Sequence, residues 1–149
     1  MKEQTEMRVQ FRQQQEKFVY YLIALSVTSI GFSVYKTIGL ELKFIQIPLG
    51  IAVLSWGLSI FCGLTFLKYL MSTLYSNIEY FNILQGNNEE VGNNPKLIHA
   101  ASKGVHMAMS SNSKRAGYFF NWQHYLFYLG IISFIIWHLL EMYSLTKVA

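Results

Sequence analysis

The chain contains no aspartate, a single cysteine and only two prolines. With Cys62 alone, an internal disulfide and a cysteine-built zinc site are both excluded. Charged side chains make up 13% of the residues, against roughly 25% in ordinary soluble domains. Every carboxylate is a glutamate, and the eight of them are spread along the chain. No G-x-S-x-G, P-loop or H-E-x-x-H pattern occurs, so the usual signatures of hydrolase, nucleotide and zinc-protease chemistry are missing. The stretch "QGNNEE" lacks the ordered oxygen spacing of a calcium loop and reads as a solvated turn. We therefore expect a protein without catalytic residues, cofactor or metal.

What the chain does have is apolar sequence, 52% of it, gathered in three blocks. They cover residues 18–35, 45–67 and 122–143. A helix needs about 20 apolar residues to cross the hydrocarbon core of a bilayer, so all three read as membrane spans. The first block is a little short, and its flanking tyrosines extend it. Mixed-charge sequence precedes it and no A-x-A-like site follows it, which fits an uncleaved signal anchor. The net charge of +4 is dispersed around the blocks, so it fits membrane topology better than nucleic-acid binding.

Sidedness follows from the 12 Lys and Arg residues. Lys2, Arg8, Arg12 and Lys17 precede the first block. Lys68, Lys96, Lys103, Lys114 and Arg115 lie between the second and third. Only Lys36, Lys43 and Lys147 fall on the other side. The positive-inside rule then puts the N-terminus and the middle segment in the cytoplasm and the C-terminus outside, as in a multi-pass inner-membrane protein. Aromatic residues agree. Tyr20, Tyr21, Tyr69, Tyr118 and Trp122 would line the inner interface, with Tyr35, Trp137 and Tyr143 at the outer one.

Helical pattern continues beyond the blocks. Residues 3–17, "EQTEMRVQFRQQQEK", hold no Gly or Pro and are rich in helix formers, so a helix should run straight into the first span. Its apolar stripe is Met7, Phe11 and Phe18, with Gln14 in the same row. A second helix should begin at Pro48 and end near Leu84, about 55 Å at 1.5 Å per residue, longer than a bilayer needs. Leu67, Met71, Leu74, Ile78 and Phe81 recur at four and three residues, the seam spacing of a coiled coil. "QGNNEEVGNN" breaks the pattern. Asn94 then caps a third helix with Pro95 at its first position. The seam of that helix reads Ile98, Ala101, Val105, Ala108 and Asn112, then Phe119, Trp122, Leu126, Leu129 and Ile136. Gly104 and Gly117 weaken it, and a kink is expected there. The expected fold is all-α: an integral membrane three-helix bundle. Its long helices extend into a cytoplasmic helical stalk, a hairpin over residues 68–121.

Polar residues inside the blocks are the candidate functional residues. Ser26, Ser29, Ser33 and Thr37 fall within a helical sector of about 80°. Ser55, Ser59 and Gly63 form a row of small residues on the second span. Small residues let membrane helices approach closely, and hydroxyls can bond across the contact. Two readings stand: the rows meet inside one chain, or the hydroxyl row lines a polar path made by several copies. On the third span Asn121, His124, Tyr128, Ile131, Ile135 and His138 share a face. Polar groups at both ends with isoleucines between describe either a dewetting constriction or a span whose ends are wet. Glu141 stands three residues beyond His138, within pairing reach.

The stretches "FRQQQEKFVYYLIALSVTSIGFSVY" and "IPLGIAVLSWGLSIFCGLTFLKYL", with the helix after Pro95, resemble the SLATT-type predicted effectors. These are small bacterial membrane proteins with an N-terminal helix, a two-span hairpin and a following cytoplasmic helix. The third span departs from that layout. The resemblance implies an oligomeric membrane effector in a defence or stress system. Together these features make the leading expectation a homo-oligomer, with the lipid bilayer as partner, that alters membrane permeability. The alternative is a non-catalytic anchor or scaffold subunit whose cytoplasmic stalk docks a partner protein.

Overall fold

The computed structural model describes residues 2–39 and 43–146, without the side chains of residues 2–5, 8, 145 and 146. Glu41 and Lys147 lie outside the described residues, as do the side chains of Lys2, Glu3 and Arg8. Every regular element is helical: α1 (Lys2–Thr37), a 3₁₀ turn (Phe44–Gln46), α2 (Ile47–Leu84) and α3 (Pro95–Thr146). All three α-helices are long and apolar enough to cross a membrane.

The expected boundaries are met closely. α1 runs unbroken from its polar first half into the first apolar block. Pro48 lies in the first turn of α2, where a missing N–H costs no intrahelical bond. At the start of α3, Asn94 Oδ1 accepts the Lys96 N–H at 3.1 Å, and the Asn94 carbonyl accepts the Ile98 N–H at 2.9 Å. That is an N-cap arrangement. The helix assignment continues through Gly104 and Gly117, so neither glycine ends α3.

Two compact units divide the chain. One comprises the described residues up to Gly63 and from Phe120 onward; the other is Leu64–Phe119. In the first unit, α1 and α3 run parallel, as Phe18 meets His124 and Phe32 meets Phe134. α2 runs antiparallel to α3, since Ser59 reaches Gln123 and Trp56 reaches Phe134. The core is Leu22, Ala52, Trp56 and Phe127, with Ile30, Ile131 and Phe134 packed against it. All three helices contribute to it.

In the second unit, parts of α2 and α3 form an antiparallel hairpin. Asn112 Nδ2 donates to Ser72 Oγ at 3.0 Å. Arg115 Nη1 donates to Tyr69 Oη at 3.5 Å, and Tyr69 stacks on Phe119 at 5.8 Å between centroids. The reversal is built from the predicted breaker. Gly86 takes φ +72, which an L side chain tolerates poorly. The Asn87 N–H bonds to the Asn82 carbonyl and the Gly86 N–H to the Ile83 carbonyl, the paired bonds of a Schellman cap. Asn88 Oδ1 accepts the N–H groups of Glu90 and Val91, each at 3.0 Å. Its amide donates to Glu79.

The expected seam of α3 is kept in the hairpin, where Ile98, Ala101, Val105, Asn112 and Phe119 are partly buried, but elsewhere the large apolar faces that the pattern marked do not turn inward. On α1 the buried row is Val19, Leu22, Ser26 and Ser33, while Met7, Phe11 and Phe18 are exposed. On α3 it is Gln123, Phe127, Ser133 and Trp137, while Trp122, Leu129 and Ile136 are exposed. On the hairpin stretch of α2 it is Phe66, Leu70, Thr73 and Ile83, while Met71, Leu74, Ile78 and Phe81 are exposed. Leu67 alone of that expected seam is buried. In the first unit the buried faces mix large rings, Trp56, Phe127 and Trp137, with small or polar residues such as Ser26, Ser59 and Gln123, which let the helices approach closely.

Candidate functional site

A tightly constrained polar site is centred on Gln123, in the first unit. Its side chain is fully buried. Nε2 donates to the Val19 carbonyl of α1 at 3.4 Å. The Gln123 carbonyl accepts the Ser59 hydroxyl of α2 at 2.9 Å. One residue of α3 thus ties all three helices. Gly63 makes room for it: a Cβ there would fall 2.5 Å from Gln123 Nε2 and 3.0 Å from Ile23 Cδ1. Gln123 Oε1 finds no hydrogen-bond donor among the described residues.

Two turns further along α3, Gly130 admits the Trp56 indole. A Cβ at Gly130 would lie 2.6 Å from Trp56 Cδ1 and 2.8 Å from Cε2. A rigid ring cannot retreat as a flexible amide can. Trp56 also sits 5.8 Å from Phe134, which is 5.4 Å from Trp137. The indole N–H groups of Trp56 and Trp137 and the hydroxyl of Ser26 are buried without a partner.

The hydroxyl rows face into the first unit. Ser26, Ser33, Ser55 and Ser59 are buried; Ser29 and Thr37 are partly so. Ser33 Oγ donates to the Ser29 carbonyl at 2.8 Å, and Thr37 Oγ1 to the Ser33 carbonyl at 3.1 Å. These bonds return the hydroxyls to their own helix. Ser59 and Gly63 meet α3 through Gln123.

The candidates of the third span are dispersed. Asn121, Tyr128 and His138 are exposed, and His124 is partly buried. His124 stacks on Phe18 with centroids 5.0 Å apart, and its Nδ1 lies 2.6 Å from the Phe120 carbonyl. His138 and Glu141 line one cavity of about 460 Å³ with Phe32, Lys36, Phe134 and Trp137. Lys36 Nζ stands 5.7 Å from the Phe32 ring centroid there. His99 and His106 are exposed, and among the described residues no group of three His, Cys, Asp or Glu could hold a metal ion.

Sequence reasoning missed Gln123 because Asn121 and His124 beside it read as the wet end of a span. A signal for it was present. Gln123, Gly130, Ser133 and Trp137 recur at seven, three and four residues, a row of polar and small side chains within an apolar block. Comparison with family models, curated proteins and solved structures gave no match to this chain.

Proposed function

We propose that the chain is a non-catalytic, multi-pass protein of the inner membrane, with its N-terminus cytoplasmic and its C-terminus outside. Spans over residues 18–35, 45–67 and 122–143 anchor it in lipid. The hairpin over 68–121 is its cytoplasmic stalk and docks a protein partner. One observation carries this reading over a conduit: the hydroxyls of Ser26, Ser33, Ser55 and Ser59 are buried within a single chain. A path shared between copies needs such groups on the outside. What residues 18–35 of α1 and 47–63 of α2 turn outward is instead mostly apolar, including Leu25, Val27, Phe32, Leu54, Leu58 and Phe61, the surface lipid solvates best.

A second reading has its own support. Asn121, Tyr128 and His138 lie exposed on α3 with Ile135 between them, and several copies could bring such faces together around a dewetting constriction. The SLATT-type resemblance implies the same outcome, an oligomer that alters permeability. Ion flux from liposomes separates the two. Purified protein in liposomes should leave them tight. A leak that His138→Leu or Asn121→Leu changes would give the function to the conduit.

A further inference from the structure

We propose that Met71, Leu74, Ile78 and Phe81 form the seam of a parallel two-stranded coiled coil with a second copy of this chain. The inference rests on the reading of the hairpin as the docking unit, and it names the partner.

The spacing is the first argument. From Leu67 the row advances by four, three, four and three residues to Phe81. That repeat keeps a stripe in contact with another helix that supercoils with it; a flat partner surface does not require it. The hairpin does not use the stripe internally. Met71 is 69% exposed, Leu74 45%, Ile78 61% and Phe81 54%. The unit packs on the neighbouring row through Phe66, Leu70, Thr73 and Ile83.

Lipid is a poor cover for this stripe. Ser72, Ser76, Asn77, Glu79 and Asn82 are interleaved with it. Hydrocarbon around these turns would strip water from a polar group at almost every second position. A narrow protein seam covers the apolar row and leaves those groups wet.

Charge and shape then select the partner. The heptad places Met71 and Ile78 at a, and Leu67, Leu74 and Phe81 at d. Ile78 at a with Leu74 at d is the pairing that favours two parallel strands; Met71 and Phe81 carry no such preference. The flanking positions are Lys68, Tyr75 and Asn82 on one side and Leu70, Asn77 and Leu84 on the other. Only Lys68 is charged, so copies in register meet no run of like charges. Nor is there the charge code that would specify a foreign helix. On α3 within the hairpin unit, the exposed large apolar residues are Leu97, Met107 and Tyr118, too far apart for a seam. The α1 row Met7, Phe11, Gln14 and Phe18 has an amide in a seam position. Phe11, Gln14 and Phe18 also line a cavity together with Phe120. Copies inserted with one sidedness present the α2 stripes to each other in parallel, as a two-fold axis requires.

The test uses the full chain in nanodiscs, with Cys62→Ser removing the native thiol. Under mild oxidation Ile78→Cys should cross-link to a second copy, and Thr73→Cys, on the inward row, should not. Leu74→Glu with Ile78→Glu should convert the dimer mass to monomer with helix content unchanged, since both sites are exposed in the single chain. Equal cross-linking from positions 73 and 78 would overturn the proposal. So would a dimer that survives both glutamates, or a wild-type monomer. Cross-linking of Ile78→Cys to Phe11→Cys instead of to itself would give the stripe to α1 and overturn it as well. The flux assay decides the anchor reading separately. Tight liposomes holding a monomer sink the seam alone, and leaky liposomes holding the Ile78 cross-link sink the anchor alone.

Discussion

α2 passes through both units and is built oppositely in each. Before Gly63 it turns Ser55 and Ser59 inward and Leu54, Leu58 and Phe61 outward. Beyond it, Phe66 and Leu70 turn inward and Lys68 and Ser72 outward. On the proposed reading, a single helix would pass from an apolar surrounding into water. Apolar side chains also face outward beyond Gly63, in the stripe from Met71 to Phe81 and at Leu64, Tyr75 and Leu84. The contrast teaches that exposure of a large apolar side chain has no fixed meaning. Its meaning depends on which solvent the neighbouring residues can tolerate.

The sharpest way to break this comparison is to put one charge on each half. Leu58→Arg, outward in the middle of the second span, should cost about 3 kcal/mol of membrane insertion. Met71→Arg, outward on the hairpin, should leave insertion unchanged. An insertion assay in microsomes reads both, and equal results would remove the contrast between the units.

The next largest effect concerns packing within the first unit. Gly130→Val should meet the Trp56 ring and destabilise the protein by roughly 1–3 kcal/mol. Thermal unfolding in detergent should show a lowered midpoint, and Gly117→Val, where an added Cβ meets nothing within 4 Å, should fall well short of that loss. A smaller effect sharpens the account of the polar tie. Ser59→Ala removes one interhelical hydrogen bond to Gln123 and should cost about 0.6 kcal/mol, the average for such bonds between membrane helices. A loss of several kcal/mol in the same unfolding measurement would mean that the hydroxyl does more than bond the carbonyl.

The elements themselves were legible in the sequence. Pro48, the pair Asn94–Pro95 and the breaker from Gln85 to Asn94 are local signals, and local chemistry decides where a helix begins and ends. The inward faces were legible only in part: the rows Ser26–Ser29–Ser33 and Ser55–Ser59–Gly63, offered as meeting inside one chain, are buried or partly buried, whereas the large apolar faces of the spans were misjudged. The apolar pattern selects a face by size, and size marks the interior only where water lies outside. On α3 that rule chose Trp122, Leu129 and Ile136, whereas the chain buries Gln123, Gly130 and Ser133. On the hairpin the rule found a real seam and assigned it to the wrong contact: Met71 and Ile78 have the spacing of a helix interface, yet no helix of their own unit covers them. Gln123 escaped because an amide beside Asn121 and His124 looks like one more polar residue at an interface.

The turn after α2 bears on how the chain is made. Each bond that shapes it joins residues close in sequence, with Glu79 to Asn88 the widest at nine positions. Contacts so local close in microseconds or less, whereas a ribosome adds only about 5–20 residues each second. The reversal can therefore be complete while most of α3 is still untranslated, and on the proposed membrane reading the last span would reach the insertion machinery on a chain already folded back on itself.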